Sequence, residues 1–290
     1  MAENVEKLVQ EYRDGRISRR GFIRRAVVLT GSLAAANALI ESLIPSTSYA
    51  AQADPNDPAL VSNEFQYTGK AGTVFGYLTR PKASSKYPAL ITIHQNRGLD
   101  EQIRDVARRF AKEGYAALAV DYLSRHGGTK KVNPEGKDVN IGELAPQQAV
   151  IEDTDAGFAY LRSQPDARAD RLGIVGFCWG GGMTFAAATQ IRGLKAVVVY
   201  YGSSPAPLDL VKNIEAPVLG HYGGEDARIT KGVPATEEAM KKYNKFYTYK
   251  IYTGAGHAFN DDTRPDRYHP EAAKDAWNRT LEFFKKNLQS

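Results

Sequence analysis

Gly176-Phe177-Cys178-Trp179-Gly180-Gly181 joins two runs of different character. Before it, Leu172–Phe177 is a short apolar run of strand length, and after it Gly180–Gln190 has the length and composition of a helix. The chain therefore turns from strand into helix around Cys178. G-x-C-x-G is the spacing of a nucleophile turn, with Cys in place of Ser. A side chain on such a turn projects from the end of a sheet. Glycines two residues to either side let strand and helix approach without a Cβ clash. A helix N-terminus beneath the sulfur favours the thiolate, the reactive form. The Trp179 N–H points where an oxyanion would form. The competing reading is a small cysteine buried in a tight turn.

Around that turn the chain alternates strand and helix. Val61–Thr68 and Thr73–Thr79 read as strands joined through Gly69 and Gly72 in a hairpin. Further strands are expected at Ala89–His94, Tyr115–Val120, Ala196–Tyr201, Pro217–Tyr222 and Tyr247–Tyr252. Helices are expected at Leu99–Glu113, Ala145–Ser163, Ala235–Tyr243 and Glu271–Asn287. The polar stretch Ser124–Gly142 reads as a long loop over the rim of a site. Continuous apolar strands separated by helices predict an α/β fold, a mostly parallel sheet with helices on both faces. Such sheets bind ligands beyond the carboxyl ends of their strands, so reactive side chains belong just after strands.

The 290 residues are 42% hydrophobic and 24% charged, a composition of globular rather than disordered chains. Of the net charge of +5, the first 53 residues supply +2, with seven Lys or Arg against five Asp or Glu. No dense basic stripe remains in the rest, so nucleic acid is not an expected partner. A single cysteine, Cys178, excludes a disulfide within the chain.

Ser18-Arg19-Arg20-Gly21-Phe22-Ile23-Arg24 reads S-R-R-x-F-I-R, close to the twin-arginine export pattern. An uncharged apolar run follows, Ala26–Ile40, shorter than the roughly 20 residues a spanning helix needs. Ala51-Gln52-Ala53 then forms an A-x-A cleavage site, with Ser48-Tyr49-Ala50 as a second candidate. Residues 1–53 are accordingly read as a twin-arginine-type signal segment and 54–290 as one α/β domain. The twin-arginine (Tat) export machinery is an expected partner, and the mature protein is expected in the periplasm or medium, without stable membrane insertion. A cytoplasmic location is the alternative.

Among five histidines, His257 is the expected general base. It lies in Gly254-Ala255-Gly256-His257-Ala258-Phe259, after the last strand and before the last helix. Asp226 follows the strand Pro217–Tyr222 and is the expected acid that orients the imidazole, with Glu225 adjacent as its competitor. Nucleophile, acid and base thus occur in that chain order. The loop Gln95-Asn96-Arg97-Gly98 should supply a second oxyanion donor, Asn96 N–H in preference to Gln95 N–H. Gln95, Arg97, Tyr122 and Tyr201 are candidates for the substrate pocket.

G-F-C-W-G-G, Y-Y-G at 200–202, G-G-E-D at 223–226 and G-A-G-H-A-F at 254–259 resemble the dienelactone hydrolase (carboxymethylenebutenolidase) family of α/β hydrolases, over about residues 60–288. The resemblance implies a Cys178–Asp226–His257 triad, no metal, no organic cofactor, and hydrolysis of a small-molecule ester or lactone through a thioester. The H-Q-N-R-G loop and the long signal look like an exported branch. Two positions depart from the family pattern. Gln95 stands where a glutamate faces the resting cysteine, and Asp261 stands where an arginine, four residues after the histidine, binds a substrate carboxylate. Arg97 or Arg125 could replace that contact. Without the glutamate, Cys178 is expected to rest as a thiolate paired with His257. The readings from other classes are a catalytically silent binding protein and a thiol redox protein using Cys178.

Overall fold

A computed structural model of the chain describes residues 7, 8, 11, 19–30, 51–83 and 85–289. They fall into two compact units, residues 1–50 and 51–290. In the first, α1 (Arg19–Thr30) carries the arginine pair and buries Phe22 and Ala26. Ser18 and residues 31–50, with most of the apolar run and the Ser48–Ala50 site, lie outside the described residues. No helix among the described residues is long and apolar enough to cross a membrane.

The second unit is built on eight strands: β1 (Leu60–Gly69), β2 (Gly72–Pro81), β3 (Tyr87–Ile93), β4 (Ala116–Asp121), β5 (Ala167–Phe177), β6 (Leu194–Tyr200), β7 (Val218–Gly223) and β8 (Tyr247–Tyr252). They form one sheet in the order β1-β2-β4-β3-β5-β6-β7-β8. β1 and β2 form the antiparallel hairpin, β2 runs antiparallel to β4, and all other pairs are parallel. This is the α/β-hydrolase arrangement.

The helices are α2 (Glu101–Lys112), α3 (Thr129–Val132), α4 (Ile141–Leu144), α5 (Gln147–Ser163), α6 (Trp179–Ala188), α7 (Ala227–Thr230), α8 (Val233–Lys242) and α9 (Pro270–Phe284). β3, β4 and β7 are buried along their whole length, which is why they read as largely apolar runs rather than alternating ones. Successive residues feed opposite faces. Ile91 and Val197 pack with Val150, Phe158 and Phe185 of α5 and α6, whereas Leu90 and Val198 pack with Ile103, Phe110 and Phe284 of α2 and α9.

Two stretches differ from the sequence expectation. Ser124–Gly142 contains a 3-10 turn (Ser124–His126) and the one-turn helices α3 and α4. Single turns are too short to carry a hydrophobic period. The 3-10 turn and α3 hang instead on Asp121, which accepts from Leu123 N (3.0 Å), Thr129 N (2.7 Å) and the Thr129 hydroxyl (2.8 Å). β5 begins at Ala167, before the charged Arg168, Asp170 and Arg171 that mask its start. The second unit also takes in Ala51–Ala53. Ala53 is buried, with its N–H on Asp105 Oδ1 (2.8 Å) and its carbonyl on Arg108 Nε (2.9 Å).

Candidate active site

Cys178 sits between the last residue of β5 and the first of α6, with φ 58° and ψ −120°. A positive φ at a residue with a side chain is strained. Here close packing on both sides enforces it. A Cβ on Gly176 would lie 2.2 Å from the Gly180 carbonyl oxygen, and one on Gly180 would lie 2.4 Å from that of His94. The backbone of the turn is tied to β6 by Cys178 N to Tyr200 O (3.1 Å).

The loops after β7 and β8 lie side by side. Gly224 N donates to Tyr252 O (2.8 Å) and Glu225 N to Ala255 O (2.9 Å). This pairing brings the Asp226 carboxylate against the imidazole: His257 Nδ1 is 2.5 Å from Asp226 Oδ2, and Nε2 is 2.9 Å from Cys178 Sγ. A carboxylate can only accept, so Nδ1 carries the proton and Nε2 faces the sulfur with its lone pair. Asp226 is buried, whereas Glu225 is exposed. Thiol, imidazole and carboxylate form one line along which a proton can move from sulfur to a ring held in the required tautomer.

Burial pushes the Cys178 thiol above its ordinary range, partly opposed by the Trp179 N–H and the Arg228 charge. Burial pushes His257 below its ordinary value, partly opposed by Asp226. Both directions favour a neutral thiol beside a neutral imidazole. The expected resting thiolate–imidazolium pair runs against both directions, since burial disfavours the charged form of each partner.

The other nominated residues take several positions. Gln95 is buried and donates from Nε2 to Asp261 Oδ2 (2.9 Å), so its amide is committed to the loop after β8. Asp261, itself buried, also accepts from Thr263 N (3.1 Å) and the Thr263 hydroxyl (2.5 Å). Arg97 is paired with Asp138 (3.0 Å), which Arg264 also grips (3.2 Å). Arg125 is held by Asp153 (2.8 Å). Neither arginine is free to replace the missing contact without breaking an ion pair. Tyr122 is buried, its hydroxyl on Thr154 Oγ1 (2.8 Å) and its ring edge toward Trp179 at 6.1 Å. Tyr201 is buried with its ring 5.2 Å from that of His257, and its hydroxyl has no protein partner among the described residues. Asn96 is half-buried beside this cleft, its carbonyl accepting from Val139 N (3.1 Å).

Two sets of residues here were not found in the sequence. Asp138 and Arg264 join Arg97 across 126 residues of chain, and isolated charges in loops carry no periodic signal. His94, one of the five histidines, ends a strand with no motif around it to mark a role. A second cleft of about 510 Å³ is lined by Arg109, Lys112, Tyr268, Lys274 and Trp277 and by none of the three aligned side chains. Among the described residues no cluster of three or more His, Cys, Asp or Glu is arranged to hold a metal.

Comparison with known proteins places the chain. Residues 74–288 match the family model described as "Dienelactone hydrolase family". A protein of Methylorubrum extorquens named "Putative carboxymethylenebutenolidase" is 34% identical over 278 residues, covering 90% of this chain and 92% of that protein. A Bradyrhizobium protein named "Probable 2-oxo-3-(5-oxofuran-2-ylidene)propanoate lactonase" is 36% identical, covering 73% of this chain and 89% of its own. The crystal structure titled "Putative Dienelactone Hydrolase", from Klebsiella pneumoniae, superposes with a TM-score of 0.72 at 33% identity, covering 79% of this chain and 99% of that one. With the family model spanning β2 to the end of the last helix, the chain belongs to the dienelactone hydrolase family of hydrolases.

Proposed function

We propose that the protein hydrolyses a small-molecule ester or lactone through a thioester on Cys178. The observation that carries this reading is the single line of contacts Cys178–His257–Asp226, at 2.9 and 2.5 Å. His257 takes the thiol proton as sulfur attacks the acyl carbon, and the C–S bond forms as the carbonyl electrons move to oxygen. The N–H groups of Trp179 and Asn96 hold that oxyanion. Its collapse breaks the C–O bond, and His257 returns the proton to the departing alcohol. Water, activated by the same imidazole, then attacks the thioester and releases the acid and the thiol. Asp226 keeps Nδ1 protonated throughout. Tyr201 lines the acyl pocket. The likeness to a protein named as a lactonase supports a cyclic ester as substrate.

The test is turnover of p-nitrophenyl acetate and of a panel of lactones, with mass spectrometry of the quenched enzyme. A mass increase of one acyl group on wild type, absent from Cys178→Ala, is the expected result. Wild-type turnover retained by a folded Cys178→Ala would reject the nucleophile.

The proposal extends to export, which rests on the S-R-R-x-F-I-R run. Residues 1–55 fused to a reporter should direct its translocation, and replacing Arg19 and Arg20 by Lys should block it. Accumulation of full-length protein starting at Met1 in the cytoplasm would reject this part.

A further inference from the structure

Beside the same cleft lies another histidine, His94, which takes no part in the proton transfers assigned to His257. His94 follows β3 and has no exposed surface. Both of its ring nitrogens meet backbone groups whose roles are fixed. The Tyr122 N–H can only donate, and it lies 3.1 Å from Nε2. The Gln95 carbonyl can only accept, and it lies 2.7 Å from Nδ1. The ring is therefore a neutral imidazole with its proton on Nδ1. A second proton would destroy the acceptor that Tyr122 needs, and burial likewise pushes the pKa of His94 down.

The carbonyl that His94 holds belongs to the peptide that joins Gln95 to Asn96. The Gly98 N–H grips the same oxygen at 3.3 Å, so both of its lone pairs are engaged. In a trans peptide the C=O and N–H point in opposite directions. Holding the Gln95 oxygen toward the His94 ring thus turns the Asn96 N–H away from it. That N–H has no protein acceptor among the described residues, while the next carbonyl, Asn96 O, is fixed by Val139 N (3.1 Å). The His94 ring also stacks on Trp179 at 5.7 Å with an interplanar angle of 25°, and its backbone oxygen closes on Gly180. One residue thereby touches both segments that supply the proposed oxyanion donors.

We infer that His94 is a positioning residue: its Nδ1–H locks the Gln95–Asn96 peptide with the Asn96 N–H aimed at the acyl oxygen. The inference rests on the hydrolase reading and adds the device that preorganises it. A flipped peptide would present a carbonyl oxygen to the developing anion and repel it, so the direction of this one peptide carries weight in the transition state.

Three variants and two reactions of the same sulfur separate this role from simple packing. His94→Asn keeps an N–H donor near the Nδ1 position, His94→Gln places its amide near Nε2, and His94→Leu removes both. Acylation by p-nitrophenyl acetate builds an oxyanion. Alkylation by iodoacetamide does not, because sulfur displaces iodide from a saturated carbon, yet it needs the same thiol and imidazole. The expected result is that His94→Leu and His94→Gln lose about ten- to a hundredfold in the acylation burst, a misaimed donor costing no more than a deleted one. Their alkylation rates should stay within about twofold of wild type, and His94→Asn should recover most of the burst. Acylation and alkylation falling in parallel would overturn the inference, as would a folded His94→Leu with an undiminished burst. If His94→Leu does not fold, the contrast between Asn and Gln decides, and equal bursts from those two overturn it. A wild-type protein that is alkylated but never acylated would instead overturn the hydrolase reading, and this inference with it.

Discussion

The cleft has two sides of opposite chemistry. On the side of β7 and β8, Asp226 and His257 meet Cys178 through contacts in which a proton can change owner. On the side of β3, His94, Gln95 and the Asn96 peptide are neutral, buried or half-buried, and engaged in contacts whose donors and acceptors are fixed. The same residue type, histidine, serves both sides, and its partners decide what it does. A carboxylate and a thiol suit His257 to the proposed role of base, whereas two backbone groups suit His94 to that of a bracket. His221 extends the lesson: set between the hydroxyls of Tyr252 and Thr280, it is pushed down to about 3 by burial and stays neutral. In the proposed reaction one side handles protons, and the other handles charge on oxygen.

The largest effects should come from the proton-handling side. Cys178→Ala and His257→Ala are expected to reduce ester turnover to background with the unfolding temperature nearly unchanged. Asp226→Asn should cost roughly two to four orders of magnitude in kcat, because an amide can hold the ring in the wrong tautomer. Steady-state kinetics with thermal melts checks all three. An Asp226→Asn enzyme within tenfold of wild type would mean that the two sides are not functionally distinct.

The junction between the sides should respond next. Gly180 of α6 abuts the Ile93 and His94 carbonyls, where an added Cβ would lie 2.5 and 2.4 Å away. Backbone cannot rotate aside as a side chain can. Gly180→Ala should therefore cost about 1–3 kcal/mol of stability, the usual range for overpacking, and should also lower activity by separating Cys178 from the β3 loop. Chemical denaturation would measure the first effect and the acylation burst the second.

How much of this was legible from sequence follows the same division. The strands, the hairpin, the major helices and the positions of Cys178, Asp226 and His257 could be read because each has a local signature: an apolar run, a helical period, or a reactive residue in a glycine turn after a strand. The β3 side has none. The His94 ring is held by Tyr122, 28 residues away, and the Gln95 amide by Asp261, 166 residues away. A bond to a group so far away in the chain leaves no pattern in it. The resting state of the thiol is hard to read for a related reason. The sequence shows which charges are near in order, whereas burial, the largest influence pushing the thiol up, appears only in the fold.

Gln95→Glu would place an ionisable group on the neutral side. The Gln95 amide donates to Asp261, so a glutamate there would oppose a carboxylate at about the same separation. Two carboxylates so close cannot both ionise. The pKa of the introduced group would be raised above its unfolded value. The stability it permits is then present at low pH and lost as pH rises through the folded pKa. The variant should melt close to wild type at pH 5 and well below it at pH 8. A melting difference independent of pH would argue that the pair is wetter than its burial indicates.

The smallest effect tests how far the rim reaches into the proton-handling side. The groups acting on the pair are Asp226 and Asp138 as anions and Arg228 and Arg267 as cations. Arg228, exposed on α7 two residues after Asp226, lowers both the thiol and the imidazole, since a cation favours thiolate and disfavours imidazolium. Arg228→Gln should therefore move both titrations upward: the acid limb of kcat/KM shifts to higher pH, and iodoacetamide alkylation requires higher pH. Because the guanidinium is exposed, its field is screened over about 10 Å at 0.1 M salt. The two shifts should be visible in dilute buffer and should shrink together as salt is added. In wild type the alkylation rate should rise with pH through neutrality without a plateau at low pH, as a buried thiol requires. A low-pH plateau would restore the thiolate–imidazolium pair as the resting state. Shifts of opposite sign in the two titrations would show that Arg228 acts by contact rather than through its charge.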